Sequence, residues 1–391
     1  MNLRVLGRGR VSENKGFYES EEMLARRGVL ISGIDNHKGT HEDNASPKIL
    51  VLQWHITDRC NLSCSHCYRT HPPARDLPMN VLGGIFENYI TALKRMKTGG
   101  HINITGGEPF LRDDLFPLLE RIRDTGEICS FGILSNGSLL RKQDCVRLKS
   151  LGCRFFQVSL DGGRRVHDSI RGAGSYDSVI AALKMLRNAG INTLVSFTAG
   201  RNNFRDFPGA MKGAKKGGAD IIWADRVIPA GTASCRAEDL MTPGEAEEFF
   251  VIMNDCRKKL QKNFFSRTRV TMDRALQFLV YDGDGFSEYS YRCSAGDTHL
   301  TVMGDGSLVP CRRMPVIIGD LKKDDLYELY CSSALLSRLR NYKIIPQGCG
   351  ECLYSGTCNG GLKCLSYSLA GSPFMRDPHC SEELLGRRFK G

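Results

Sequence analysis

No stretch of the chain holds the roughly 18 consecutive apolar residues that a membrane-spanning helix needs, so the sequence predicts no membrane protein. The opening residues, MNLRVLGRGRVSENKGFYESEE, start basic but lack the apolar core of a secretory signal. A cytoplasmic location is the expectation that follows, and with it a reducing environment. Long blocks of like charge are also missing. The net charge of +11 is spread along the whole chain. Its clusters are short, such as Arg257, Lys258 and Lys259, or Lys212, Lys215 and Lys216. Such scatter argues against a nucleic-acid partner and suits an acidic peptide or a polycarboxylate equally well.

Cysteine, by contrast, is abundant. In 391 residues there is room for a catalytic domain and a smaller second one. A composition of 41% hydrophobic and 25% charged residues is that of an ordinary soluble globular protein. Sixteen cysteines are out of line with it. Most fall in two groups, one near residue 60 and one between 293 and 380. In a reducing compartment, clustered thiols point to metal ligation rather than disulfides.

Residues 1–48 are polar and weakly periodic, an N-terminal extension. Buried-strand patterns then recur at 49–56, 101–104, 131–135, 155–160, 193–198 and 220–224. Amphipathic helical patterns lie between them at 80–97, 113–125, 139–151, 175–189 and 204–217. This alternation predicts an α/β fold of parallel βα units, a partial (βα)6 TIM-like barrel over 49–235. Reactive groups should then gather at the C-terminal ends of its strands. Residues 236–292 read as a helical connector, with helices over 242–283 joined by a charged loop. From 293 to 391 the chain becomes rich in Gly and Cys, with a hairpin pattern in LTVMGDGSLVPC. A small cluster-binding domain is expected there, dependent on ligation for much of its stability.

The first cysteine group is HITDRCNLSCSHCYR, just after a strand. Cys60, Cys64 and Cys67 can converge from one loop on three corners of a cubane cluster. A structural zinc loop is the competing reading, but zinc usually takes four closed ligands and no local fourth is evident. An iron without a protein ligand can hold a small molecule through an amine and a carboxylate, and such cofactors carry difficult radical chemistry.

This C-x3-C-x-aromatic-C spacing resembles the signature of the radical S-adenosylmethionine (SAM) superfamily, with His66 in place of the usual aromatic. The resemblance covers about residues 50–232. It implies that Cys60, Cys64 and Cys67 hold the [4Fe–4S] cluster that cleaves SAM, with His66 near the adenine. Thr105-Gly106-Gly107-Glu108-Pro109 matches the family's GGE motif after the second strand. Ser135-Asn136-Gly137 and Ser159-Leu160-Asp161-Gly162 resemble segments lining the ribose and substrate side. Arg171 resembles an arginine that meets the SAM carboxylate, against its plainer reading as a surface arginine. Ser196 is a further candidate contact. The stretch from Arg226 to Gly231 resembles the end of the family barrel. No general acid or base is assigned, since Asp225 and Arg226 at the mouth could equally form a structural salt bridge.

In the second group, the run C-x2-C-x5-C is by itself a metal signature open to zinc. The whole arrangement resembles the SPASM extension, which binds one or two auxiliary iron–sulfur clusters. That resemblance implies a distal set of Cys349, Cys352, Cys358 and Cys380, and a near set of Cys293, Cys311 and Cys364. One departure matters: Cys358 and Cys364 are spaced C-x5-C, and Leu362 stands where relatives carry a cysteine after Gly-Gly. The near set is then one ligand short, completed by another residue or left with an open iron. Of the other cysteines, Cys129, Cys145, Cys153, Cys235, Cys256 and Cys331, most are expected to be buried small hydrophobes.

The tail resembles both the peptide cyclase of pyrroloquinoline quinone synthesis and the haem-forming enzymes. The leading expectation is an oxidoreductase that matures a ribosomally made peptide by a thioether or carbon–carbon crosslink. Its partners would be that peptide and an electron donor such as flavodoxin or ferredoxin. The alternative is decarboxylation or oxidation of tetrapyrrole side chains, which the basic charge also suits. Formylglycine formation fits less well without C-x3-C in the tail. A non-catalytic iron–sulfur scaffold is the remaining class, and the ordered SAM elements weigh against it.

Overall fold

A computed structural model describes residues 49–68, 75–229, 239–263, 266–280 and 292–386. The N-terminal extension, Cys235 and the Ala230-Gly231 end of the barrel stretch lie outside the described residues. Six parallel strands form the core: β1 (Ile49–His55), β2 (Gly99–Thr105), β3 (Cys129–Ser135), β4 (Phe156–Ser159), β5 (Thr193–Ala199) and β6 (Ile221–Arg226). They neighbour one another in chain order, as consecutive βα units do.

The joining helices are α1 (Met79–Met96), α2 (Leu115–Arg123), α3 (Lys142–Ser150), α4 (Arg164–Arg171), α5 (Ser175–Asn188) and α6 (Phe207–Gly217). All six expected strands are present. The helix α4 was not anticipated from the sequence. Its RRVHDSIR buries only His167 and Ile170, too little for an apolar stripe to show.

Side-chain alternation divides each strand between shell and lumen. Along β1, Leu50, Leu52 and Trp54 are fully buried in the hydrophobic core. Val51 and Gln53 line the lumen instead. On β2, Ile102 and Ile104 join the core while Asn103 faces the lumen. Helix α1 covers this layer with Leu82, Ile85, Phe86, Tyr89 and Leu93. Each such side chain contributes about 1.5–3 kcal/mol by leaving water.

The connector departs from the expected helices joined by a charged loop. Among its described residues are α7 (Pro243–Gln261), then strand β7 (Arg269–Val270), then a 3-10 turn at Gln277–Val280. Thr242 and Glu245 close a capping box at the start of α7, worth about 1 kcal/mol. Strand β7 pairs parallel with β6, and β8 (His299–Val302) pairs parallel with β1, so both edges of the sheet are extended. A two-residue strand carries no periodicity, which is why β7 is invisible in the sequence. The expected hairpin is there, as β8 against β9 (Ser307–Val309), followed by β10 (Gly319–Asp320).

The C-terminal part continues with α8 (Leu326–Ser332), α9 (Ala334–Arg340), α10 (Ser355–Cys358), α11 (Lys363–Ala370) and α12 (Glu382–Gly386). Among the described residues, no helix is long and apolar enough to cross a membrane.

Candidate active site

The loop after β1 carries Cys60, Cys64 and Cys67, and the loop after β2 holds it in place. Gly107 and Glu108 donate their backbone N–H groups to Thr57 and Arg59 carbonyls, both at 2.8 Å. This stitching needs glycine at 106: its φ is +152°, and a Cβ there would lie 2.2 Å from the Thr57 oxygen. Asp76 braces the other side, accepting from Thr57 Oγ1 at 2.6 Å and Arg59 Nε at 2.8 Å. The Ser65 N–H reaches Ile170 O at 3.1 Å, tying the loop to α4.

All three thiols line a cavity, open on one side, at the C-terminal ends of the strands. His66, Gly106, Gly107, Ser135, Asn136, Ser159, Arg171 and Ser196 line it too. Asn136 Nδ2 approaches Cys60 Sγ at 4.0 Å and Arg171 Nη1 approaches Cys64 Sγ at 3.7 Å. Burial pushes the Cys64 thiol up, and the Arg171 guanidinium opposes this. Among the described residues, no three or more His, Cys, Asp or Glu side chains are drawn together as they would be round a single ion. A cubane cluster keeps its thiolates apart, so three thiols on one loop around a cavity fit such a cluster.

Glu108 and Asp161 stand behind this wall rather than on it. Glu108 is fully buried and accepts from Ser135 Oγ at 2.9 Å, Asn136 N at 2.9 Å and Phe110 N at 3.2 Å. Burial raises its pKa and those bonds oppose the rise. Its role in this structure is to fix Ser135 and Asn136. Asp161, also fully buried, accepts from Thr198 N at 2.8 Å and from Arg171 Nε. Burial works against its ionisation, but Arg171 and His66 outweigh that and hold its carboxyl well below the usual range. Arg171 is therefore no loose surface residue, since it joins Asp161, His66 and Cys64 beside the cavity.

The second cysteine group separates into two sets. Cys349, Cys352, Cys358 and Cys380 surround one small cavity together with Arg376 and Asp377. Cys293, Cys311 and Cys364 line a chamber inside the barrel. Leu362 lines that chamber with them. Burial pushes the Cys358 and Cys364 thiols far up and that of Cys380 to about 11, so iron must displace protons to bind them. The chamber adjoins the first cavity through shared walls at Leu134, Gln157, Trp223, Arg312 and Arg313.

Two buried ion pairs fasten the barrel to this region. Arg226 on β6 meets both oxygens of Asp377 at 2.8 and 2.7 Å, and Asp225 accepts from Arg313 at 2.8 Å. Asp377 also accepts from Leu362 N at 2.8 Å. Asp225 and Arg226 are thus salt-bridged, the plainer of the two readings of the sequence. Gly361, at φ +76°, lets Asp377 approach, since a Cβ there would meet the Asp377 Cβ at 2.6 Å.

Sequence reasoning missed Arg274, Arg312 and Arg313, which bring three guanidinium groups to the chamber. Polar residues at two lumen-facing places, Gln53 on β1 and Asn103 on β2, were the available hint. Cys129, Cys145, Cys153 and Cys256 are buried as expected, whereas Cys331 is exposed.

Residues 54–212 match the family model of the radical SAM superfamily, and residues 293–353 match that of an iron-sulfur cluster-binding domain, SPASM. The AdoMet-dependent heme synthase of Oleidesulfovibrio alaskensis is 25% identical over 390 residues, covering 96% of this chain and 95% of its own. The PqqA peptide cyclase of Ruegeria pomeroyi is also 25% identical, over 88% of this chain and 91% of its own. Among solved structures, Streptococcus suis SuiB bound to precursor peptide SuiA shares the fold at TM-score 0.66 and 16% identity, covering 96% of this chain and 83% of that one. With both domains found in order on the two cysteine groups, the chain is a radical SAM enzyme that binds SAM and a [4Fe–4S] cluster in its barrel and auxiliary iron–sulfur clusters in a C-terminal SPASM domain.

Proposed function

We propose that this enzyme matures a ribosomally made peptide, forming a thioether or carbon–carbon crosslink. The main support is the chamber in which Cys293, Cys311 and Cys364 face the lumen with Leu362, not a fourth thiol, beside them. A cluster held by three thiolates keeps one position for a ligand from the substrate, and a peptide cysteine is the natural candidate. When bound, SAM and the core cluster supply a 5′-deoxyadenosyl radical able to take hydrogen from an unreactive carbon.

The chain's own residues set the geometry for that chemistry. Gly106 and Gly107 bring backbone close to the SAM site, Ser135 and Asn136 are fixed by Glu108, and Arg171 is fixed by Asp161. Ser159, Ser196 and His66 offer further polar contacts on the cavity wall. The adjoining chamber would hold the substrate between the two cysteine groups. An electron donor of the flavodoxin or ferredoxin kind would reduce the core cluster.

A second reading, modification of tetrapyrrole carboxylate side chains, is favoured by Arg274, Arg312 and Arg313 in the same chamber. Heme synthase activity in a relative that spans nearly the whole chain adds to it. The test is anaerobic reconstitution with SAM and reductant, offering short cysteine-containing peptides and iron coproporphyrin side by side. Loss of two hydrogens from a peptide supports maturation, whereas loss of carbon dioxide from the porphyrin transfers the function to the second reading. Absence of 5′-deoxyadenosine under all conditions sinks both.

A further inference from the structure

The chamber between the SAM site and the near cysteines is unusually rich in positive charge for a buried space. Arg274, Arg312 and Arg313 all line it. All three act on one group, His299, whose pKa is lowered to about 3 by burial and by these guanidinium groups. His299 is therefore neutral there and adds no charge. The carboxylate of Asp225 is committed to Arg313 at 2.8 Å. Arg274 lies over the Trp223 ring at 4.4 Å and within 3.8 Å of Asp273. Arg312 has no carboxylate among its described contacts. Its Nη1 donates to the Gln53 amide oxygen, and its guanidinium lies 5.1 Å from the Tyr68 ring, next to Cys67.

Around Arg312, polar atoms are left without partners. The buried Nε of Arg312, Nε2 of Gln53 and Oδ1 of Asn103 have no hydrogen-bond partner among the described residues. Gln53 is 2% exposed, yet it is one of the residues that line the chamber. Buried donors left unpaired are costly, and a desolvated guanidinium more so. Donors outnumber acceptors, which selects for an anion able to accept several hydrogen bonds. A carboxylate matches the planar fork of arginine and leaves a lone pair for the Gln53 amide.

We propose that Arg312, with the Gln53 amide, forms a carboxylate-binding subsite that anchors the substrate between the SAM cavity and the near cysteine set. Arg312 lines both spaces and directly follows Cys311. A carboxylate held there places the adjoining carbons within the lumen, with the SAM cavity on one side and the near thiols on the other. The subsite rests on the lumen being the substrate site, and it specifies which group on that substrate is recognised. Acidic peptide side chains and porphyrin propionates share this chemistry.

The test is equilibrium binding to the SAM-loaded, cluster-replete enzyme. Four probes are compared: coproporphyrin III, its tetramethyl ester, an acetylated and amidated hexaglutamate, and the hexaglutamine counterpart. At least one acid is expected to bind about tenfold or more tightly than its neutral partner, and R312Q should remove that preference. R312K should recover part of it as a point charge without the fork. R205Q, on the exposed surface, is the charge control and should bind like the wild type. Iron content and circular dichroism, unchanged in R312Q, separate loss of the subsite from loss of the fold.

If only the porphyrin acid binds and depends on Arg312, the subsite stands and the peptide reading falls. If only the peptide does, both stand. If neither acid is preferred, or R312Q keeps the preference, the subsite is overturned. A shift in the near cluster's spectrum with no change in probe binding also overturns it, because Arg312 would then serve only as a counter-charge.

Discussion

Asp377 joins three things that lie far apart in the chain: strand β6, the Gly-Gly turn before α11, and the approach to Cys380. Its oxygens take Arg226 Nη1 and Nη2 at 2.8 and 2.7 Å, Leu362 N at 2.8 Å and His379 N at 3.0 Å. Both side chains of the ion pair are 1% exposed. Removing one partner of a buried pair typically costs about 3–5 kcal/mol, because a charge is left uncompensated. Asp377→Asn should fall near the lower end, since one oxygen remains to accept from Arg226. The amide nitrogen, however, must face either Arg226 Nη2 and Leu362 N or Arg226 Nη1 and His379 N, donor against donor in both orientations.

A local loss of about 3 kcal/mol lowers amide protection by roughly 100-fold, at 1.4 kcal/mol per factor of ten. The assay is hydrogen exchange on the cluster-loaded enzyme. α11, whose Gly371 N–H bonds to Tyr367 O at 2.8 Å, should lose protection while α2 keeps it. A double variant, R226M with D377N, removes both charges yet keeps an acceptor for Leu362 N, and should regain at least tenfold. Protection in α11 within threefold of wild type in Asp377→Asn would refute the reasoning. The pH dependence has a fixed sign. Burial opposes ionisation of Asp377 but Arg226 outweighs it, so the folded pKa lies below its ordinary 3.8. The stabilisation is complete above about pH 4 and is lost as pH falls through the lower folded value.

Glu108→Ala leaves the Ser135 hydroxyl and the Asn136 and Phe110 N–H groups without their acceptor. At about 1 kcal/mol or more each, SAM binding should weaken at least tenfold in equilibrium dialysis, and unchanged affinity would count against Glu108 as the group that positions this wall. Cys364→Ala should cost one cluster's iron while 5′-deoxyadenosine formation persists, and full iron content by colorimetric assay would remove Cys364 from the near set. Leu362→Cys supplies the thiol that relatives carry. Crosslinking should fall while iron content and SAM cleavage hold, and undiminished product would show that no open position is needed.

The strands and most helices were legible because apolar residues recur with the right period along 49–224. Leu50, Leu52 and Trp54 alternate visibly against Val51 and Gln53, and that contrast is local. The core cysteines were legible for the same reason, since Cys60, Cys64 and Cys67 share one loop. What was hidden depends on pairing between distant segments. Strand β7 is two residues long and β8 reads as a hairpin arm, so nothing local reveals that they extend the sheet next to β6 and β1. The GGE motif was legible as a motif, but what its glutamate touches was not. In the fold its carboxylate turns inward to Ser135 and Asn136, a contact across 27 positions. The arginines of the chamber come from 274, 312 and 313, and only closure of the barrel brings them to Gln53 and Asn103.

The charge placement also distinguishes two neighbouring arginines of the chamber. Buried thiols such as Cys364 resist losing their protons. The Arg313 guanidinium works against that resistance, as its charge lowers the Cys364 pKa. Arg313 thus favours the thiolate that iron requires, while its pairing with Asp225 keeps it from competing for a substrate carboxylate. Arg312, one residue on from Cys311 and bonded to a neutral amide, keeps that capacity. Under the proposed subsite, these two adjacent arginines are told apart by their partners, Asp225 for Arg313 and the Gln53 amide for Arg312. Exchanging those partners, not the arginines, is what would change which anion the chamber accepts.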